Sequence, residues 1–384
     1  MPVAETADVV IAGGGIVGLA TAYYLAARGI RDVLVLEREP ALVTGSTARS
    51  AGGIRLQFST EVNIRLSRYG LEVLRRFRDE FGVDPAFRQV GYLFLLSTPE
   101  EEAAFRRNLE LQRRLGVPVH WLEPGEVARD FPWVNPEGLV GATFCPEDGH
   151  ADPYTVAMAF GRRARELGVR VATGRSVTGV RVAGGRVRGV DTPAGPVEAP
   201  VVVNAAGPDA GAVGRMAGVD VPVEPYRRQV FVTDAFAGLP REIPLTIDFA
   251  TSSYARREGD RVLFGMSDPE EPPGRPLVVD DAFLVRAAAT IAARIPALAE
   301  ARVARGWAGY YEVTPDHNAI VGPVPEVEGL YVAAGFSGHG FQHGPGVGRV
   351  IAEMIAGEEP FLDVRSLSIE RFRTGKSLRE QGVV

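Results

Sequence analysis

The chain predicts an α/β fold: a Rossmann-type nucleotide-binding domain built from discontinuous segments, plus a β-rich substrate-binding domain. Three observations predict it. The N-terminus runs strand, glycine turn, helix, strand; two later stretches return to that rhythm; and two β-rich insertions separate them. With 384 residues the chain is long for one simple core and suits two closely packed lobes. The expected division gives 1–85, 147–218 and 306–384 to the nucleotide domain, and 86–146 with 219–305 to the substrate domain.

The first element is a strand, because Val9, Val10 and Ile11 form a β-branched run of the kind buried in parallel sheets. Gly13-x-Gly15-x-x-Gly18 follows at once. Leu19, Ala22, Tyr23 and Ala26 then recur at helical spacing until Gly29 stops the helix. Residues 33–36 supply the next strand, which ends at Glu37. The chemistry requires this order: Gly13 permits a tight turn, Gly15 lets the backbone approach a pyrophosphate, and Gly18 lets helix and strand pack closely. The helix N-terminus offers free N–H groups and a positive dipole end to the phosphates. Glu37 is spaced to accept hydrogen bonds from a ribose diol and would repel a 2′-phosphate. The fingerprint alone serves FAD and NAD equally.

Residues 42–58, "LVTGSTARSAGGIRLQF", have no periodic apolar face, and their small residues suit a backbone laid along a ligand. Residues 61–81 read as a helix burying Ile64, Leu66, Leu71, Leu74 and Phe77. A strand over 91–96 and a charged amphipathic helix over 100–115 follow. His150 and Asp152 are read as caps of the helix after Pro153, which leads to another strand. Residues 181–190 read as a hairpin turning at Gly184-Gly185, and "VVVNAAG" as a strand entering a second glycine turn. From 221 to 265 the pattern turns to short strands, then to a helix over 280–295. The strand "GLYVAAGF" precedes a glycine-rich turn and a last helix over 347–354.

Composition bounds the function. Hydrophobic content of 46% with 23% charge is that of an ordinary globular protein, and a net charge of −6 argues against nucleic acid or anionic membrane as the main partner. Of 42 basic residues only Lys376 is a lysine, so lysine chemistry is nearly closed. Cys145 stands alone, which excludes an intrachain disulfide, a CxxC pair and a thiolate cluster, and fits a reducing cytoplasm. Residues 9–27 are apolar enough to imitate a membrane span, but spaced glycines interrupt them and Glu5 and Asp8 precede them, so no span is expected.

Taken together, the fingerprint with Glu37, "STARSAGGIRLQF", "VVVNAAG", "PYRRQVFV", "YYEVTPDHNAIVGP" and "AAGFSGHGF" resemble a known family. It is the FAD-dependent amine and amino-acid oxidoreductases that include D-amino-acid oxidase, glycine oxidase, sarcosine oxidase and dye-linked proline dehydrogenase. The similarity is strongest to the branch of sarcosine oxidase and proline dehydrogenase β-chains. The tail "IERFRTGKSLREQGVV" also resembles mitochondrial relatives linked to respiratory-complex assembly. The resemblance implies FAD held by Gly13, Gly15, Ile16, Val17 and Gly18, and by Glu37 and Arg38. It adds Ser46, Thr47, Ala48, Ser50, Ala51, Gly52 and Gly53 of the polar loop, Val177, and Ala205, Ala206 and Gly207. Gly309, Gly335, Gly338, His339, Gly340, Phe341 and Gln342 complete the set, the last turn passing beside the flavin ring.

His339 and His343 are spaced like a metal pair. Gly340, Gly344 and Pro345 disfavour the helical turn such a pair needs, and no third ligand stands nearby, so no metal is expected. The resemblance makes Arg55 the anchor for a substrate carboxylate, with Tyr311, Tyr254 and Arg256 around the reacting centre and His339 beside the flavin. Asp316 and His317 are expected to support loop structure. Three positions depart from the sarcosine oxidases: Gly309 where a cysteine tethers the flavin, and Gln342 and Leu263 where lysines bind carboxylate and activate oxygen. The expectation is non-covalent FAD and oxidation of a small amino acid, a secondary amine, by hydride transfer from the α-carbon to flavin N5. Electrons would pass to a protein or quinone rather than oxygen, and the chain could work within a homo- or hetero-oligomer. The rival readings are a sarcosine-type or D-amino-acid oxidase using oxygen, oxidation of a 2-hydroxy acid with His339 or His343 as base, and a non-catalytic FAD-bearing assembly protein.

Overall fold

The computed structural model describes residues 5–376 and 378–382; positions 1–4, 377, 383 and 384, which the expected outer segments include, lie outside the described residues. Strand Val9–Ala12 is buried throughout and lies inside a six-stranded sheet. It pairs in parallel with Val33–Leu36 on one side and Val201–Asn204 on the other. Leu330–Ala334 extends the parallel run, Ile320–Pro323 closes one edge antiparallel, and Arg170–Ala172 forms the other edge. These strands come from the three α/β stretches of the sequence. Val9–Ala12 and Val33–Leu36, buried throughout, read as unbroken Val, Ile, Leu and Ala runs.

Helix Ile16–Ala27 leaves the first strand through the glycine turn and packs between Pro153–Glu166 and Gly340–Ile355. A Cβ at Gly18 would lie 2.0 Å from the carbonyl oxygen of Gly13, so only glycine allows this approach of helix to strand. The last helix crosses the first just as closely. A Cβ at Gly348 would stand 2.7 Å from both the Ala20 Cβ and the Thr21 amide nitrogen, and one at Gly344 would stand 2.8 Å from Ile16.

The last helix begins at Gly340 rather than at 347, and Pro345 lies inside it. His339 is its N-cap, and the His343 amide donates to the His339 carbonyl at 3.1 Å, a regular helical turn. Residues 341–348 are all buried, so packing against the first helix outweighs the poor local propensity of three glycines and a proline.

An eight-stranded sheet collects the β-rich stretches in the order 303–313, 224–233, 261–266, 253–258, 245–248, 92–96, 141–145, 120–122. Strand Glu224–Thr233 is ten residues long where short strands were expected, and it pairs along its length with Val303–Val313. The expected domain boundary at 306 therefore falls inside a continuous strand of this sheet. A smaller four-stranded sheet holds the hairpin of Gly179–Ala183 and Arg186–Asp191.

The helix over 61–81 is two, Glu61–Arg75 and Phe77–Phe81, with Ile64, Leu66, Leu71, Leu74 and Phe77 buried as expected. Asp152 caps Pro153–Glu166 by accepting from the Tyr154 and Thr155 amides. His150 does not cap; it pairs with Gly53 in a two-stranded ladder. Among the described residues no helix is long and apolar enough to cross a membrane.

The crossing of first and last helices yields a prediction. Gly348→Leu forces a side chain into the Ala20–Thr21 backbone and should destabilise the fold by about 1–3 kcal/mol. The result is a lower melting temperature of the purified protein. An unchanged melting temperature would contradict the close crossing.

Candidate active site

A long groove runs from the glycine turn, past the polar loop, to the face of the eight-stranded sheet. Gly13, Gly15, Ile16 and Val17 line its first end with Glu37 and Arg38. Gly13 has a φ of +116°, and a Cβ there would lie 2.2 Å from the Ala205 carbonyl oxygen. The two glycine turns thus touch backbone to backbone. Glu37 accepts from the Gly14 amide at 2.8 Å and the Glu39 amide at 2.9 Å, which fixes its carboxylate at the mouth of the turn. The first turn of helix Ile16–Ala27 carries no acidic residue, so its dipole meets the groove uncompensated.

Ser46, Thr47, Ser50 and Ala51 form one wall with Ala205, Ala206 and Gly207. Gly309, Tyr311, Tyr254, Gly338, Gly340 and Phe341 line the far end. Gly338 has a φ of +94°, and a Cβ there would stand 2.5 Å from the Tyr311 ring, so glycine is required to bring that turn against the tyrosine. The fit to a flavin dinucleotide is good at both ends: a glycine cradle with an acid after the second strand, and a bare-backbone turn facing the Tyr311 ring. At Gly309 a Cβ would lie 2.9 Å from the Arg49 Cβ, so the position that lacks a tethering cysteine is also crowded.

Other expected residues lie off the groove wall. Gly18 sits under the first helix, Ala48 is exposed, and Val177 packs against the smaller sheet's core. Gly52 and Gly53 are pinned against Ala151 and the Tyr92 hydroxyl, and Gly335 against Thr314. Gln342 turns inward, its Oε1 accepting from the Arg55 amide at 2.7 Å.

Arg55 is 4% exposed and does not line the groove. Its guanidinium lies 4.0 Å over the Phe58 ring and donates to the carbonyls of Gln57 and Gly382. It also donates to His339 Nε2 at 2.9 Å. Arginine has no acceptor, so His339 Nε2 accepts and Nδ1 carries the proton. Burial and the Arg55 charge hold the His339 pKa well below its ordinary value. His343 Nε2 is 2.9 Å from Ser67 Oγ, and burial lowers its pKa to about 3. The two histidines do share a helical turn, contrary to the argument from glycines, but Arg55 contacts the first and Ser67 the second. Among the described residues no group of three ligating side chains surrounds them. Nor is either a ready general base for a hydroxyl.

Arg256 is also committed. It donates to the Ala51 carbonyl at 2.8 Å and the Arg257 carbonyl at 2.6 Å, and pairs with Glu258. Leu263 is buried beside Val230 and Val232. Burial raises the pKa of Tyr254 and of Tyr311, so both phenols stay protonated and can donate. Asp316 supports structure as expected, gripped by Arg371 at 2.8 and 3.0 Å deep in the C-terminal segment. The tail continues from there: Glu380 accepts from Ser59, Thr60 and Asn63 and brings Gly382 against Arg55.

Several groove residues carried no signal of their own in the sequence. Arg49 spans the groove to the Ala308 carbonyl at 2.9 Å, Glu312 lies below the second glycine turn, and Arg228 projects from strand Glu224–Thr233 opposite Gly309. The quoted "PYRRQVFV" contained Arg228, but nothing in it says which of two adjacent arginines faces a ligand.

The family model described as DAO, FAD dependent oxidoreductase, matches residues 8–354. The chain is 36% identical over 427 residues to FAD-dependent oxidoreductase domain-containing protein 1 of Xenopus laevis, covering 99% of this chain and 85% of that protein. It is 32% identical over 388 residues to mitochondrial sarcosine dehydrogenase of Homo sapiens, covering 97% of this chain and 42% of that longer protein. The crystal structure of L-proline dehydrogenase from P. horikoshii matches with a TM-score of 0.90 at 35% identity, over 98% of this chain and all of that one. These matches run through the glycine cradle, the β-rich lobe and the last helix alike. The chain belongs to the DAO family of FAD-dependent oxidoreductases, and its cofactor is FAD.

Proposed function

We propose that the protein oxidises a small amino acid, a secondary amine of the N-methyl or cyclic kind, and passes the electrons to an acceptor other than oxygen. The observation that carries the reading is the far end of the FAD groove. There two half-buried phenols, Tyr254 and Tyr311, line the wall, and the Tyr311 ring meets the bare-backbone turn at Gly338. The similarity to proteins named sarcosine dehydrogenase and L-proline dehydrogenase supports the substrate class. In this reading the six-stranded sheet carries the nucleotide, and the eight-stranded sheet contributes the wall against which the substrate lies.

Bound FAD supplies the two-electron acceptor for the hydride leaving the α-carbon. The chain's own contribution is placement and dryness. Tyr254 and Tyr311 donate hydrogen bonds and exclude water, holding the neutral amine with its α-carbon turned to the cofactor. No protein base is needed if the amine binds unprotonated. That agrees with a site whose nearest histidines are neutral and already hydrogen-bonded. The same feature disfavours a 2-hydroxy acid, whose hydroxyl proton requires a competent base.

The acceptor follows from charge. Oxygen reacts through superoxide, which a free cation stabilises. Leu263 is apolar and buried, His339 is neutral, and Arg256 is tied to Glu258, so none of these offers one.

Three outcomes test this function. The purified protein should carry FAD that acid or heat releases; flavin remaining with the denatured chain would contradict the non-covalent reading of Gly309. Under anaerobic conditions sarcosine-like or proline-like amino acids should bleach the flavin band, and 2-hydroxy acids should not. Bleaching by hydroxy acids alone would overturn the substrate class. When oxygen is admitted to the reduced enzyme, the oxidised spectrum should return slowly compared with its return on adding a quinone or dye. Rapid reoxidation with stoichiometric hydrogen peroxide would make the enzyme an oxidase.

A further inference from the structure

We propose that Arg228, not Arg55, grips the carboxylate of the substrate and sets the enzyme's preference for an amino-acid anion. This rests on the amino-acid oxidation proposed above and assigns its charge recognition to one side chain.

Arg227 and Arg228 are neighbours on strand Glu224–Thr233 and therefore project to opposite faces. Arg227 is buried and saturated: Nε and Nη2 donate to the two oxygens of Glu271 at 2.8 and 3.0 Å, and Nη1 donates to the Val278 carbonyl. Arg371 grips Asp316 with the same Nε–Nη2 edge. That edge is the fork by which a guanidinium binds a carboxylate side-on.

In Arg228 the same edge is unused. Its Nη1 donates to the Arg227 carbonyl at 3.0 Å. Its Nε is buried without a partner, and Nη2 makes no hydrogen bond, among the described residues. It forms no ion pair among them, since Glu271 is already taken by Arg227. The guanidinium lines the groove with Tyr254 and Tyr311, 5.3 Å over the Tyr311 ring. A half-buried guanidinium whose Nε is shut off from water is costly unless an anion meets it, and both adjacent side chains are phenols rather than acids.

The other arginines of the region are committed. Arg38 pairs with Glu39 and Asp209, and Arg49 donates to the Thr44 and Ala308 carbonyls. Arg55, the position that family resemblance nominated, spends its donors on Gln57, Gly382 and His339. Arg228 is thus the one groove-lining guanidinium with its carboxylate-binding edge free among the described residues. While the carboxylate of substrate or imino-acid product occupies it, it offers superoxide no free charge, in keeping with a slow oxygen reaction of the occupied enzyme.

The test uses the FAD-loaded enzyme and two small probes, acetate and its uncharged analogue acetamide. Their binding is read from the perturbation of the flavin spectrum, so no turnover is required. Wild type should bind acetate in preference to acetamide. Arg228→Gln should weaken acetate by on the order of 30-fold or more and abolish the preference, with FAD still bound. Arg228→Lys should recover part of the affinity, and Arg55→Lys should leave the preference intact. Acetate affinity within threefold of wild type in Arg228→Gln, loss of preference in Arg55→Lys alone, or no acetate binding by wild type would each overturn the assignment. So would failure of both Arg228 variants to retain FAD, which would make Arg228 a cofactor ligand. If acetate binding depends on Arg228 but no amino acid reduces the flavin, the anion seat stands and the proposed substrate class fails.

Discussion

The structure depends on one physical constraint: the first helix must lie against both the glycine turn before it and the last helix, closer than a Cβ would allow. At Gly18 it meets the carbonyl of Gly13, at Ile16 it meets Gly344, and at Ala20 and Thr21 it meets Gly348. Each contact is closer than a Cβ allows. The same device recurs where Gly70 admits the Gln342 carbonyl, which ties helix Glu61–Arg75 to the last helix. These contacts set the distance between the N-terminal cradle and the Gly338 turn, and so fix both ends of one groove. Dispersion and apolar burial supply the energy of that packing, while the glycines make its geometry possible.

Charge is arranged by a second rule, imposed by a chain with almost no lysine. Several of its buried arginines are used as structural forks, closed on an acid or on carbonyls. Arg227 holds Glu271, Arg371 holds Asp316, and Arg294 holds Asp248 at 2.6 Å. Arg55 and Arg257 are satisfied by carbonyl oxygens. Arg228 departs from this use: its Nε–Nη2 edge is open and it stands on the groove wall.

Much of the fold was legible because its signals are local. The strand, glycine turn, helix and acid all lie between Val9 and Glu37, and buried parallel strands announce themselves as apolar runs. The last helix was legible only from 347, because its first turns contain glycines and a proline that argue against a helix locally. Burial against helix Ile16–Ala27 decides the matter, and burial is not a local property. The ten-residue strand over 224–233 was shortened for the same reason: its charged residue Arg227 is accommodated by Glu271, a partner distant in sequence. Of the site residues, those on the glycine turns were legible as a backbone-approach motif. The states of Arg55, His339 and Arg256 were not, since each is defined by a hydrogen bond to a residue far along the chain. Gly382 is the clearest case, because nothing in a C-terminal glycine marks it as the acceptor for a buried arginine.

A site that recognises an amino-acid anion on the sheet wall, with Arg55 serving the tail instead, is the central claim. A crystal structure of the FAD-loaded enzyme with acetate bound tests it most directly. The account predicts carboxylate density against the Nε–Nη2 edge of Arg228, near Tyr254 and Tyr311, with the Gly382 carbonyl still on Arg55. Density on Arg55 with the 378–382 segment displaced would contradict it.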